Sequence, residues 1–201
     1  MARMQSVIIL RTESPGPGYG KMIEDRLLLY RFKRGDPDAL RRIYEKYEVY
    51  LLTVATALLN DIGAAEDVLH DSFVAFAESA HKVRLEGNLR SFLATCVANR
   101  SRDLMRKRSR NYESLDKAAS FTCDGNGPDL AAVCNEQLQR LARAIAKLPY
   151  EQREVVVLHL TAGLMFKQIA GLQKVSINTV QSRYRYGIDK LRSMLDGEVV
   201  T

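Results

Sequence analysis

The sequence predicts an all-α fold of two small helical domains joined by a flexible linker, and three observations carry that expectation. After Leu10 no stretch of useful length alternates Val, Ile or Thr with polar residues as a strand would. Over residues 24–108, and again over 136–196, apolar residues recur at three- and four-residue steps, the spacing that lines up one face of a helix. Between them, residues 109–135 lose that periodicity. From Asn111 on they carry Glu113, Asp116, Asp124 and Asp129 against Lys117, and the run Asp124-Gly-Asn-Gly-Pro128 breaks any helix.

Residues 1–23 read as an irregular tail, because Pro15, Gly16, Pro17, Gly18 and Gly20 cluster there. Met22, at the compositional break, is a candidate start codon. From Glu24 a short helix turns Leu27, Leu28 and Phe32 toward a core and ends near Gly35. Asp36 before Pro37 reads as an N-cap with proline in the first turn, where its missing N–H costs nothing. The helix that follows carries the stripe Leu40, Ile43, Tyr44, Tyr47, Leu51, Val54 and Leu58 as far as about Asn60. A second stripe runs through Ala65, Val68, Leu69, Phe73, Phe76, Ala77 and Ala80. A third, after a break over His81 to Asn88, runs through Leu89, Phe92, Leu93, Cys96, Val97 and Leu104. Three amphipathic helices of this kind can bury one another's stripes.

The third helix ends in a dense basic run, with Arg100, Arg102, Arg106, Lys107, Arg108 and Arg110 opposed only by Asp103. Overall Lys and Arg number 30 against 24 Asp and Glu, so the positive charge is concentrated here rather than spread, as suits a polyanionic partner.

In the last third, Leu138, Leu141, Ile145 and Leu148 mark a helix stopped at Pro149, and another begins near Glu151 and carries Val155 to Leu160. Gly163 to Arg183 then has the spacing of a helix-turn-helix. Ile169 and Ala170 sit on a short first helix, Val175 lies past the turn, and Ser176 is placed to cap a second helix at Thr179. On that second helix Val180, Tyr184, Gly187, Ile188 and Leu191 share one side, and Asn178, Gln181, Ser182 and Arg185 the other. The second side offers amides, a hydroxyl and a guanidinium, which suit base edges and phosphates in a major groove. Lys174 stands where such turns usually have glycine, which predicts a looser turn, and Met165 stands where a capping serine is common.

Other chemistries find little support. His70, His81 and His159 are scattered, and the sequence shows no acidic metal cluster or glycine-rich phosphate loop. Cys96, Cys123 and Cys134 are odd in number with no CxxC pair, so no metal or other cofactor is expected and a reducing cytoplasm fits best. The apolar run Val7 to Leu10 is far short of a membrane span. No small-molecule substrate and no membrane contact are expected.

With both halves in view, the chain resembles the extracytoplasmic-function group of bacterial sigma factors over about residues 24–196. Gly35-Asp-Pro-Asp-Ala-Leu40 with Tyr44-Glu-Lys-Tyr47 is similar to the opening of that group's promoter-melting domain. Ala65-Glu-Asp-Val-Leu-His-Asp-Ser-Phe73 is similar to its polymerase-binding helix. Leu89-Arg-Ser-Phe-Leu93 through Arg108 resembles its minus-ten helix, and Leu148-Pro-Tyr-Glu-Gln-Arg-Glu-Val155 with the helix-turn-helix resembles its fourth region.

The resemblance implies partners and roles: core RNA polymerase, double-stranded promoter DNA, the melted non-template strand, and the anti-sigma protein that commonly restrains such factors. Asp67, His70 and Asp71 would grip polymerase, with His70 standing where the group most often has glutamine. Asn88 and Arg90, at the end of the His81 to Leu89 loop, would hold a flipped-out base, an extraction that costs a few kcal/mol. Asn99, Arg102, Asp103, Arg106, Lys107 and Arg108 would face the minus-ten element, each phosphate neutralised steepening the salt dependence by a log–log slope of roughly 0.9. Ser176, Asn178, Thr179, Gln181, Ser182, Arg183 and Arg185 would face the minus-thirty-five element. The basic segment lacks interleaved aromatics that stack on unpaired bases, which predicts weak melting and strict promoter choice. On this reading residues 24–108 bind polymerase and open DNA, residues 136–196 read it, and the chain is no enzyme. The rival is a helix-turn-helix regulator that acts without being a polymerase subunit, with residues 24–108 as a sensory or dimerisation module. The basic end of the third helix speaks against it, since a sensor has no need of a second DNA-binding surface.

Overall fold

The computed structural model describes residues 19–79, 88–114 and 136–196, which form eight α-helices and their turns, with no strand among the described residues. They are α1 (Tyr19–Lys33), α2 (Pro37–Leu59), α3 (Ile62–Glu78), α4 (Leu89–Ser114), α5 (Glu136–Ala146), α6 (Tyr150–Leu160), α7 (Phe166–Gln173) and α8 (Ile177–Asp196).

The first helix starts earlier than Glu24, at Tyr19, so Met22 lies within it. Its register also differs from expectation. Leu28, Leu29 and Phe32 are buried, whereas Leu27 is 56% exposed, because the i, i+1, i+4 set 28, 29, 32 faces α2 and position 27 lies off that arc. α2 behaves as its sequence dictates. The Asp36 side chain accepts a hydrogen bond from the Asp38 N–H, Pro37 opens the helix, and Asn60 closes it in the left-handed conformation, with its N–H donating to the Thr56 carbonyl. Ile43, Tyr47, Leu51, Val54 and Leu58 are buried on α2, while Leu40 and Tyr44 are only partly covered. Each fully buried Leu or Ile here contributes about 1.5–3 kcal/mol.

α2 is the central rod, packed against α1, α3 and α4. An aromatic group fills one end of this bundle: Phe32 stacks on Phe76 at 5.0 Å, and Phe73 meets Tyr44 edge-on at 4.8 Å. The α3 stripe of Ala65, Val68, Leu69, Phe73 and Phe76 is buried as expected, with Ala77 partly covered. α4 continues through Ser114, so residues 111–114, expected in the linker, are helical. Residues 80–87, including Ala80 and most of the expected base-holding loop, and residues 115–135 of the expected linker lie outside the described residues.

In the second helical group α6 is the core element, lying against α7 and α8, and α5 lies against α8. The expected face of α5 is only partly realised. Ala144 and Leu148 are buried, but Leu138 is 56% exposed and Leu141 is exposed too, because the first turns of α5 overhang the core. Leu160, at the end of α6, is likewise exposed, while Val155 to Leu158 are buried. Gly187 explains how closely α8 approaches α6: a Cβ there would lie 2.9 Å from the Val156 methyl and 3.6 Å from Gln152 Cβ. α5 and α6 also pack on α2, so one continuous buried cluster runs from Ile43, Leu51 and Leu58 to Val155, Leu158 and Ile169.

Candidate nucleic-acid interface

The helix-turn-helix forms as its sequence requires. Ile169, Ala170 and Leu172 of α7 are buried, and the Ser176 hydroxyl accepts the Thr179 N–H at 3.1 Å, capping α8. Met165 supplies no side-chain cap; instead its own N–H donates to the Gln168 side-chain oxygen at 2.8 Å, so glutamine three residues on takes over part of the capping. The turn is not loosened by Lys174. That residue adopts φ 57° and ψ 43°, the left-handed conformation glycine would take, and its N–H donates to the Ala170 carbonyl. The tight turn is kept at a local cost of about 1 kcal/mol.

On α8, Val180, Gly187 and Leu191 are buried against the domain, with Tyr184 and Ile188 partly covered. Asn178, Gln181 and Arg185 are exposed, and Ser182 and Thr179 partly so. Arg185 lies over the Tyr186 ring, its guanidinium carbon 5.3 Å from the centroid. Behind this face His159 stacks on Phe166 at 4.3 Å and meets Tyr184 edge-on, with Nδ1 2.9 Å from the Leu164 carbonyl, so it is a packing residue.

The set expected to grip polymerase is also presented outward: Asp67, His70 and Asp71 are all exposed on α3, opposite the buried stripe. Asp71 accepts an ion pair from Arg100 of α4 at 3.2 Å, an exposed contact of little energetic weight.

The basic helix α4 is divided. Asp103, Arg106 and Lys107 are exposed, and Asn99 is partly so. Arg108 turns back to Asp61, the N-cap of α3, at 2.9 Å. Two N–H groups of that cap and Arg108 hold the Asp61 carboxyl below its usual range, the Ala64 backbone N–H contributing most. Arg102 departs furthest from the expected open surface. Its side chain is 12% exposed and bridges to Glu154 of α6 at 2.5 Å and to the Leu172 carbonyl of α7. Leu172 lies in the last turn of α7, where carbonyls lack helical partners and the helix end is partially negative, so a guanidinium satisfies it well. Glu154 itself is 1% exposed; burial pushes its carboxyl above the ordinary range, offset in part by Arg102.

At the start of α4 the Asn88 side chain accepts the Arg90 N–H at 2.9 Å, acting as a helix cap. Arg90 lies 4.0 Å over the Tyr50 ring and reaches the Thr161 carbonyl. Cys96 is a free thiol that burial pushes up to about 11, which makes it unreactive at neutral pH. Among the described residues no His, Cys, Asp and Glu group is arranged to hold a metal ion, and no helix is long and apolar enough to cross a membrane.

Sequence reasoning missed Glu154 and Gln173. The Gln173 amide donates to Glu154 at 2.8 Å and its oxygen accepts from Arg183 at 2.7 Å, so the two residues link α4, α6, α7 and α8. A signal was present for Glu154, a lone acid directly before the apolar run Val155 to Leu158.

Residues 43–111 match the family Sigma-70 region 2, and residues 138–191 match Sigma-70, region 4. The chain is similar to the ECF RNA polymerase sigma factor SigW of Bacillus subtilis, 25% identical over 183 residues that cover 87% of this chain and 97% of that protein. It is 26% identical to the RNA polymerase sigma factor CnrH of Cupriavidus metallidurans over 182 residues, 87% of this chain and 95% of the other. Among solved structures it resembles CnrH in complex with the cytosolic domain of CnrY, with a TM-score of 0.62, 24% identity, and coverage of 87% and 98% of the two chains. It also resembles the sigma factor RpoE in complex with the anti-sigma factor NepR from Bartonella quintana, with a TM-score of 0.61, 22% identity, and coverage of 78% and 98%.

Proposed function

The chain belongs to the extracytoplasmic-function group of the sigma-70 family, and from that premise we propose how its surfaces divide the work of directing RNA polymerase to promoters. Asp67, His70 and Asp71, exposed on α3, bind core polymerase. The basic side of α4, with Asn99, Arg102, Asp103, Arg106, Lys107 and Arg108, engages the minus-ten element, and Asn88 and Arg90 lie where the melted non-template strand enters. Asn178, Gln181, Ser182 and Arg185 read the minus-thirty-five element, while Ser176, Thr179 and Arg183 hold the helix that presents them. The factor works in the cytosol without a cofactor, and the bond-making chemistry is the polymerase's.

The observation that carries this reading is the pairing of a capped, outward-facing recognition helix with a second, basic helix on one chain. A regulator acting alone needs one such surface; promoter opening needs two, because the two elements are read on different DNA states. As with RpoE and its NepR, a protein inhibitor is part of the proposal.

Run-off transcription over a genomic fragment library, with core polymerase added, tests it. Promoter-dependent transcripts are expected, and Asp67→Arg should abolish co-purification with core polymerase at unchanged helical content. Protein that shifts DNA alone yet starts no transcript with core polymerase would instead be a free-standing regulator.

A further inference from the structure

The helix α8 is held in place by contacts of two kinds. Val180, Gly187 and Leu191 form an apolar seat, which fixes how closely the helix lies but, being non-directional, holds its rotation weakly. Directional contact comes from Gln173, the last residue of α7. Its amide nitrogen donates to the Glu154 carboxylate at 2.8 Å and to the Glu151 carbonyl at 3.2 Å, and its amide oxygen accepts from Arg183 of α8 at 2.7 Å. Glu154 is 1% exposed and bound to Arg102 as well, so Gln173 is anchored to a buried, fixed group. An amide suits the position because it both donates and accepts: the carboxylate needs a donor and the guanidinium an acceptor. The next residue, Lys174, carries the left-handed turn at φ 57° with no glycine to relax it. Bonds that fix the end of α7 therefore also hold the strained turn from which α8 sets off.

We propose that Gln173 is a positioning residue of promoter recognition, an inference that rests on reading α8 as the minus-thirty-five helix. By bridging Glu154 to Arg183 it fixes the rotation of α8 about its own axis, and so decides which base edges Asn178, Gln181, Ser182 and Arg185 meet. Arg183 then serves recognition from the flank of the helix, through Gln173. Small rotations suffice. A helix with its side chains is about 10–12 Å across, so a roll of about 10° carries a side-chain tip about 1 Å. A hydrogen bond of about 2.9 Å stretched by that much is lost, and discrimination between bases goes with it.

Holoenzyme assembled from core polymerase and the full-length chain is offered a library of random-sequence duplexes, and the transcribed members are sequenced. The unaltered chain should enrich one minus-thirty-five motif. Gln173→Met, similar in size but without the amide, should flatten the base preference within that motif roughly tenfold and leave the minus-ten preference as it was. Arg183→Met should flatten the same positions, and the double variant no further than either single one. Base preference is a ratio, so a variant that is only less stable yields fewer transcripts but keeps the motif. Retention of the motif by Gln173→Met therefore overturns the positioning role, whatever its melting temperature. Flattening by Arg183→Met alone also overturns it, and makes Arg183 a direct DNA contact. If the unaltered chain enriches a minus-ten motif and no minus-thirty-five motif, the reading of α8 itself fails and the role of Gln173 with it. Should Gln173→Met fail to fold, Gln173→Asn, one methylene too short to span Glu154 and Arg183, takes its place.

Discussion

The two helices expected to meet DNA are in opposite states. The outer face of α8 is exposed and its residues bind little of their own chain, whereas on α4 Arg102 and Arg108 are engaged by Glu154 and Asp61. The difference follows from what backs each helix. α8 docks through Val180, Gly187 and Leu191, an apolar side distinct from its polar one, so folding leaves the polar side free. α4 is flanked by acids on α3 and α6, and its cations find carboxylates within the fold before any phosphate arrives. A basic run in a sequence is therefore a stock of charge, and the fold decides how much of it faces outward.

This contrast can be broken most directly by stability. Arg102→Ala leaves the buried Glu154 carboxylate with Gln173 alone and should cost about 3 kcal/mol, whereas Arg185→Ala should stay within about 0.5 kcal/mol; equal urea midpoints for the two variants would erase the distinction. At the open face, Gln181→Ala should leave folding unchanged yet lose about 1–3 kcal/mol of discrimination at one base pair of a cognate minus-thirty-five element, read by competition binding.

A smaller effect comes from the other engaged cation. Asp61→Ala should cost about 1 kcal/mol by removing the α3 cap. Because the Asp61 carboxyl is held low in the folded state, its contribution is present above the ordinary carboxylate range and lost as pH falls through the lowered value. The stability gap between Asp61→Ala and the unaltered chain should thus close in acid. The smallest change is Lys174→Gly, which relieves the left-handed backbone but loosens the unfolded chain, so the melting temperature should rise by an amount equivalent to under about 1 kcal/mol.

Most elements are legible in the sequence because their signals are local. The Asp36-Pro37 start, the stripes of α2 and α3 and the Ser176 cap each depend on residues within a turn or two. The α1 register differs from its sequence expectation at Leu27 because Leu27, Leu28 and Leu29 are adjacent, and only the position of α2 decides which two turn inward. Lys174 on its own favours a slacker turn, but burial of Ile169, Ala170 and Val180 on either side overrides the preference of one residue. The fate of Arg102 is illegible for a different reason: its partner lies beyond residues 115–135, and no periodicity signals a pairing made across that distance.

The close approach at Gly187 has an engineering consequence. Because α8 is seated by a residue without a side chain, its height and tilt over α6 are set independently of the residues on its outer side. Exchanging Asn178, Gln181, Ser182 and Arg185 as a group should therefore redirect the factor to other promoters while the seat of the helix stays as it is.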